Sequence, residues 1–496
     1  MDQDSGDPLP FVNIGIKDTS VGAFTNEDGF FRLELPAGHY TLIISSVGYE
    51  KVEREISVDP RKPLEMEIYL KSETQELSTV VVSASKYAQR LQESISSIEV
   101  LKPALIENKN LQTIDKAVDM IPGVTIVNDE PQIRAGSGYA SGLGSRVMVM
   151  VDEIPLLRGD AGRPAWTIMP VHDIEQIEVV KGAASVVYGS SALSGAINVR
   201  TAWPKEEKHT TQVTVFGSLY SAPDNKYKKP WSGFNPMQFG MTLSHMQKFE
   251  HVDLGGSITY MNDQGYIGEI PEWADSSGST TGAYERYLKV TFNSRVRSKH
   301  HEGLSYGLNG TIMTGKRSES YFWLDSDTNI YRPYPGSLSN FQELTMYFDP
   351  FAKYFGKKGS VHSFKNRFFY NNTDATNDQS NMSATLYDEY QYQKKFKHLG
   401  DLVVVAGVMN TFSYAFGKVF SGKLAPDSTT TAGENGTYTS NNFAVYAQLE
   451  KKFFKRLNVL FGARYEYFTL EDLHQGKPVF RAGLNFQASK GTFLRA

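Results

Sequence analysis

The chain has 496 residues, of which 12% are aromatic and 21% charged, with 42 glycines, no cysteine and a net charge of −4. Its length calls for several domains, and its glycine and aromatic content suits β-structure better than a helical bundle. Near-neutral charge gives no ground for nucleic-acid binding, the absence of cysteine excludes disulfides, zinc-thiolate sites and thiol catalysis, and no apolar run reaches the roughly 18 residues of a membrane helix, a test that leaves a transmembrane β-barrel open.

The opening "MDQDSGDPLPFVNIGIK" holds no apolar secretion segment and enters a strand almost at once. That is expected of a processed chain or of a sequence beginning inside its gene product. In residues 1–72, Val12, Ile14 and Ile16 alternate, as do Phe31, Leu33, Leu35 and then Tyr40, Leu42, Ile44. Turn signals at Asn26–Gly29 ("NEDG") and Pro36–Gly38 ("PAG") separate them, and short strands at this spacing predict a small β-sandwich.

Residues 73–86 contain "ELSTVVVSASK", a β-prone ribbon with no obvious partner. An unpaired strand is an aggregation hazard, so a loose one needs a reason. Residues 87–207 read as mixed α/β. "NLQTIDKAVDMIPG" places Leu111, Ile114, Val118 and Ile121 on one helical face, with Asn110 as N-cap and Pro122–Gly123 as terminator. "RVMVMVDEIP" and "GAINVR" read as strands, and "HDIEQIEVVKG" as a helical turn followed by a strand.

In residues 208–496 period-2 alternation takes over. Val252, Leu254, Ile258 and Tyr260 share one face, and His251, Asp253, Ser257 and Thr259 the other. About a dozen such segments recur, with polar faces such as Lys289, Thr291, Asn293 and Arg464, Glu466. A half-wet soluble sheet alternates in the same way. The number of strands and the flanking aromatics (Tyr260, Tyr306, Tyr465) favour a membrane barrel with an interfacial girdle.

Catalytic readings fare poorly. His172 and Glu175 have the His-x-x-Glu spacing of a zinc carboxypeptidase, but there is no HExxH, "HHEG" at His300–Gly303 is misspaced, and no Gly-x-Ser-x-Gly elbow occurs. The glycines of "KGAASVVYGSSALSG" are not followed by the Lys-Ser/Thr of a phosphate loop, and a strand, not a helix, follows "AGSGYASGLGS". No enzyme activity and no cofactor are expected.

Residues 79–203 resemble the plug of a TonB-dependent outer-membrane receptor, carried by "TVVVSASK", "AVDMIPGVTI", "QIRAGSG", "RVMVMVDEIPL" and "DIEQIEVVKGAASVVYGSSALSGAINVRT" in matching order. The first block resembles a carboxypeptidase-regulatory-like (transthyretin-like) module whose opening strand is missing. Together with the alternating region the resemblance covers nearly the whole chain, and the combination is most familiar from Bacteroidetes receptors. It implies a mainly β molecule in four parts. These are a β-sandwich (1–72), a linker with a TonB box (73–86), a plug (87–207) and the N-terminal part of a transmembrane antiparallel β-barrel (208–496).

The resemblance assigns Thr79, Val80, Val81, Val82, Ser83 and Ala84 to the TonB box. Such a box is captured by β-augmentation, and a loose ribbon would serve it. The plug motif and its latch to the wall would involve Arg134, Arg146, Asp152, Glu178, Lys181, Gly182, Tyr188, Gly189, Gly195 and Asn198. Many relatives have arginine where this chain has Lys181. Ser137, Tyr139, Arg158 and Arg163 fall in loops that face outward in the family. Tyr321, Trp323, Tyr331 and Tyr334 lie in "SESYFWLDSDTNIYRPYPGS", a candidate extracellular loop offering an aromatic platform.

The implied partners are TonB with ExbB and ExbD, outer-membrane lipid, a small ligand and a surface lipoprotein. A ferric siderophore is the expected cargo, ahead of cobalamin or another metal chelate and an oligosaccharide, with a signal transducer as a separate class. Plugged transporters use 22 strands, about twice what residues 210–496 supply. The chain is therefore expected to form an incomplete curved sheet that does not transport by itself.

Overall fold

A computed structural model describes the chain except residues 4–5, 20, 47–48, 60, 72–78, 135–144, 183, 205–208, 225–228, 230, 232–233, 267–282, 321, 326–329, 335–336, 377–378, 418–435, 455 and 490–491, and the side chains of 323–325 and 330–332.

Four strands, β1 (Asn13–Ile16), β2 (Gly22–Phe24), β3 (Gly38–Ser45) and β4 (Val52–Val58), form an antiparallel sheet in the order β2-β1-β3-β4. The alternation of β1 and β3 puts Ile14, Ile16, Leu42 and Ile44 on one buried face with Leu9, Val12 and Leu70. Phe31, Leu33 and Leu35 cover this core as alternation predicts, but they do so from irregular chain outside the ladder.

Next come β5 (Val80–Val81), β6 (Gln89–Arg90), β7 (Ser97–Leu101), α1 (Pro103–Asn108), α2 (Ile114–Val118), β8 (Val124–Val127), β9 (Glu130–Ile133), β10 (Val147–Val151), β11 (Ile154–Pro155), β12 (Ile174–Lys181), α3 (Ser185–Tyr188) and β13 (Gly195–Thr201). A five-stranded mixed sheet, order β11-β10-β13-β12-β7, is its centre. Strands β10 and β13 run parallel and are buried on both faces, which explains their unbroken apolar runs.

Two local expectations are corrected. The helix at 110–121 is one short turn with Thr113 in the N-cap position and no side-chain capping bond, because Asn110 sits at φ +49°, outside N-cap geometry. Its apolar spacing still holds, with Ile114, Val118 and Ile121 buried. There is no helical turn at His172–Glu175: Asp173 takes φ +59° and β12 begins at Ile174. Helix α1, opened by a proline at its first turn, was not foreseen.

Among the described residues, the rest is one antiparallel sheet of 13 strands. These are β14 (Thr210–Leu219), β15 (Met237–Lys248), β16 (Val252–Asp263), β17 (Glu285–Arg297), β18 (Leu304–Ser320), β21 (Leu338–Phe355), β22 (Ser360–Ala375), β23 (Asn381–Phe396), β24 (Leu402–Gly417), β25 (Gly436–Phe453), β26 (Leu457–Leu470), β27 (Leu473–Ser489) and β28 (Thr492–Arg495). The order is sequential, and a small hairpin, β19 (Trp323–Asp325) with β20 (Ile330–Pro333), is inserted between β18 and β21.

Burial in this sheet is inverted relative to a water-soluble protein. On β16 the exposed residues are Leu254, Ile258 and Tyr260, while Asp253, Ser257 and Thr259 are buried. The same holds on β17, where Leu288 and Val290 face out and Lys289, Thr291 and Asn293 face in. A continuous exposed apolar surface over that many strands is tolerated only by hydrocarbon. The polar face curves around the central sheet, and Met261, Tyr287, Met313, Tyr347 and Phe369 of the wall join its apolar core. Among the described residues, no helix is long and apolar enough to cross a membrane.

Candidate functional site: the plug, its leading segment and the wall

The ribbon after residue 78 is not loose. Val80–Val81 pair antiparallel with Gln89–Arg90, and Val81, Ser83 and Ala84 are buried. Beyond the short ladder, Val82 and Ser83 still need acceptors for their N–H groups. Both donate to the same carboxylate oxygen of Glu178, at 2.9 and 2.8 Å. The other Glu178 oxygen accepts from Gln176 Nε2 (2.7 Å) and Arg200 Nη1 (3.2 Å). Glu178 and Asn198 are cross-strand partners on β12 and β13. Asn198 donates to Ser83 Oγ at 3.0 Å and accepts from the backbone N–H of Glu153 at 2.8 Å. The expectation of an unpaired handle is thus corrected: the valines favour extension, and a buried polar pair in the neighbouring sheet captures that extended chain.

Asp152 and Glu153 form the two-residue turn between β10 and β11, both at positive φ (+52° and +65°), as the tightest hairpins require. The Asp152 carboxylate accepts from Thr201 N–H (2.9 Å) and Oγ1 (2.8 Å), and burial raises its pKa. Glu153 is ion-paired with Lys365 of the wall. Arg367, fully buried on the wall, donates to the carbonyls of Ile154 (2.9 Å), Pro155 (3.0 Å) and Val151 (3.4 Å). Asp349 holds its other side (Nε to Oδ1, 2.7 Å), and Tyr347 stacks on the guanidinium. This arginine therefore clamps the hairpin backbone to the wall.

A second anchor lies just beyond the ribbon. Lys86, buried and at φ +57°, is ion-paired with Glu389 of β23. Its ammonium lies 5.0 Å from the rings of both Tyr188 and Tyr446, and Gln391 Nε2 donates to its carbonyl at 3.0 Å. Further contacts include Arg481 on the Ala84 carbonyl, Asn485 on those of Gln92 and Ser94, and Lys289 on those of Thr167 and Met169. His172 packs near Lys289, and burial plus that charge lower its pKa to about 4.

The expected latch residues are redistributed. Glu178 and Asp152 bond inside the plug, as described, and Lys181 bridges Glu99 (3.1 Å) and the Pro122 carbonyl (2.9 Å), also inside it. Arg134 and Arg146 have exposed side chains. Wall contacts include those of Lys86, Glu153 and several backbone carbonyls, which motif matching did not single out. Two glycines are required by geometry. A Cβ on Gly195 (φ +155°) would lie 2.3 Å from the Val180 carbonyl oxygen, and one on Gly189 (φ +91°) 3.0 Å from a Glu466 oxygen on the wall. Gly182 is at φ +122° with open space around it.

Strand connections at one end of the wall are short (249–251, 298–303, 356–359, 397–401 and 454–456) and at the other reach 220–236, 264–284 and 418–435. Arg158 lies at the long-loop end, but its guanidinium is engaged with Asp160 (3.1 Å), Thr373 (3.3 Å) and Asn381 (3.2 Å). Arg163 donates to the Asn128 carbonyl (2.6 Å). Tyr334 is exposed. Ser137, Tyr139 and Tyr321, and the side chains of Trp323 and Tyr331, lie outside the described residues.

At the short-turn end the N-terminal module is seated on the rim. Glu27 meets Arg295 (3.2 Å) and Lys353 (3.9 Å), and Asp28 meets Arg297 (3.1 Å) and Lys248 (3.9 Å). Lys397 donates to Asn13 at 2.7 Å, and Phe11 packs on Phe355 at 4.8 Å. Between module, ribbon and rim is a cavity of about 1480 Å3 lined by Phe31, Val82, Arg200, Lys353 and Lys365 among others.

Comparison with known proteins agrees with this architecture. The CarboxypepD_reg-like domain model matches residues 1–82, the TonB-dependent Receptor Plug Domain model 90–196, and the TonB dependent receptor-like, beta-barrel model 210–496. The chain is 30% identical over 149 residues to the vitamin B12 transporter BtuB of Vibrio cholerae, covering 30% of this chain and 24% of that protein. It is 23% identical over 402 residues to the TonB-dependent receptor SusC of Bacteroides thetaiotaomicron, covering 71% of this chain and 38% of that protein. The chain thus spans well under half the length of these relatives. The ferripyoverdine receptor of the Pseudomonas aeruginosa outer membrane superposes with a TM-score of 0.63 over 86% of this chain and 60% of that one, at 13% identity, a likeness of fold alone. The chain belongs to the TonB-dependent receptor family of the bacterial outer membrane.

Proposed function

We propose that this chain belongs to an outer-membrane importer energised from the periplasm by TonB with ExbB and ExbD, and that its cargo is a ferric siderophore. The domain division 1–72, 73–86, 87–207 and 208–496, with the box at Thr79–Ala84, is part of the proposal. One observation carries it. The buried ribbon is held by Glu178 and Asn198, and Asn198 also holds the hairpin that Arg367 and Lys365 clamp to the wall. Pulling the ribbon therefore loads the plug's attachment to the wall, which an energised gate needs. Capture by TonB requires release of Val82 and Ser83 from Glu178, so cargo must favour the plug state with the ribbon freed.

The siderophore assignment draws support from the plug segment "IEVVKGAASVVYGSSALSGAINV" and from the ferripyoverdine receptor's fold. Cobalamin is the second reading, favoured by the 30% identity over 149 residues to the vitamin B12 transporter. Uptake of radiolabelled ferric chelates and of cobalamin by cells with and without the intact gene tests both. Gene-dependent uptake of a ferric siderophore supports the first reading and of cobalamin alone the second. Import of neither, or of an oligosaccharide with a surface lipoprotein, overturns both.

A further inference from the structure

Two ion pairs between plug and wall stand side by side. Glu389, which pairs with Lys86 of the plug, stands directly across the ladder from Lys365, which pairs with Glu153 of the plug. Cross-strand partners in a sheet lie about 5 Å apart at Cβ, within reach of a lysine side chain. At this point of the inward face two plug charges, Lys86 and Glu153, meet two wall charges, Glu389 and Lys365, and the Tyr446 hydroxyl also donates to Glu389 at 2.7 Å. Lys86 follows the ribbon by two residues, whereas Glu153 belongs to a hairpin more than sixty residues further on. The two pairs report on different parts of the plug through neighbouring wall residues.

We propose that this quartet is an ion-pair exchange switch, with Lys86 and Lys365 as its positioning residues. When Lys86 is drawn out with the ribbon, Glu389 is left buried without its plug cation. That state is costly, and the nearest available remedy is Lys365. Lys365 turns to Glu389, and Glu153 loses its wall partner. At the same time Asn198, whose Oδ1 holds the Glu153 N–H, loses the Ser83 hydroxyl that its Nδ2 was bonded to, so the amide holding the hairpin is itself held less firmly. The hairpin at Val151–Pro155 is then secured mainly by Arg367. The switch converts displacement at residue 86 into loosening at residue 153 through the neighbouring wall residues that pair with each. No bond is made or broken covalently, and charge is conserved within the wall once Lys86 has left.

The inference rests on the reading that force enters at residues 79–84, but its test needs neither TonB nor cargo. The full chain in lipid nanodiscs is followed by hydrogen exchange at residues 147–156, with the wall strands as an internal check of folding. Lys86→Met should raise exchange of the hairpin roughly tenfold or more, reflecting loss of a buried partner. The deciding variant is Lys86→Met with Glu389→Gln. Lys365 then has no competing carboxylate, stays on Glu153, and hairpin exchange returns to within about threefold of the parent. Lys365→Met should loosen the hairpin while leaving residues 80–86 protected.

If Lys86→Met leaves the hairpin protected, or the double variant is as loose as the single, the switch is wrong. Failure here leaves the import reading untouched. Failure of the uptake panel leaves this measurement standing.

Discussion

Replacing Arg367 by methionine is the sharpest test of how the plug is held. The guanidinium is buried, faces Asp349 and donates to three carbonyls of the β10–β11 hairpin. Bonds from a charged donor contribute about 1.5–3 kcal/mol each in favourable cases, and stripping one partner from a buried ion pair costs about 3–5 kcal/mol. These overlap, because the same side chain serves both, so the expected loss is about 3–5 kcal/mol locally. At about 1.36 kcal/mol per factor of ten, hydrogen exchange at residues 147–156 should accelerate by roughly a hundred- to several-thousandfold. Exchange in β24–β26, away from the clamp, should change little. Arg367→Met with Asp349→Leu removes the stranded carboxylate and should recover a large part of the loss, as apolar replacement of a buried pair does. Arg367→Lys should not rescue, since an ammonium cannot serve the carboxylate and the carbonyls together. Acceleration below tenfold in Arg367→Met would refute the clamp.

Other consequences are open to direct measurement. Gly195→Ala drives a methyl against the Val180 carbonyl at a strained backbone angle, and should leave a plug cleaved rapidly by protease. Gly182→Ala meets no neighbour and should lose only about 1–3 kcal/mol. His172 has an ordinary pKa of 6.5 that falls to about 4 in the folded plug, so the folded state resists its protonation. Its stabilising effect is complete above pH 6.5 and is lost as pH falls toward 4, a change of about 3 kcal/mol by linkage. Denaturation of the plug followed against pH should show this slope, and His172→Gln should flatten it. Glu27→Lys with Asp28→Lys sets like charges against Arg295, Arg297, Lys248 and Lys353. It should free the N-terminal module, read as faster exchange at residues 11–16 and 22–28 with β3 still protected.

The sequence exposes most of the architecture because alternation is a direct record of environment. Leu254, Ile258 and Tyr260 against Asp253, Ser257 and Thr259 assign both faces of β16, and hydrocarbon outside with polar wall inside keeps that pattern through the sheet. The apolar runs of β10 and β13 likewise announce a doubly covered sheet. The short elements escaped. Asn110 has the chemistry of an N-cap, yet its left-handed backbone passes that place to Thr113. His172–Glu175 has helical spacing but joins a strand after Asp173 turns the chain.

The candidate site was half legible. Motif matching located Glu178 and Asn198, but not that they capture Val82, Ser83 and Glu153. A charge and an amide inside apolar strands should have signalled a buried polar partner. Glu389, Lys365 and Arg367 were missed because inward charges on a wall strand look the same whether they face water or a plug, and Lys86 because its partner lies on a distant wall strand. Only the fold brings residues 300 positions apart together.

The most direct test concerns which face of the wall strands meets lipid. Because the chain has no cysteine, single spin labels can be placed along β17 at Arg286→Cys through Phe292→Cys in the full chain in bilayers. Collisions with oxygen, which concentrates in hydrocarbon, should peak at Leu288, Val290 and Phe292, while a water-soluble relaxer should find none of them. Positions 287, 289 and 291 should be shielded from both, against the plug. Equal access of the water-soluble relaxer to 288 and 290 would contradict a membrane wall and remove the basis for an outer-membrane importer.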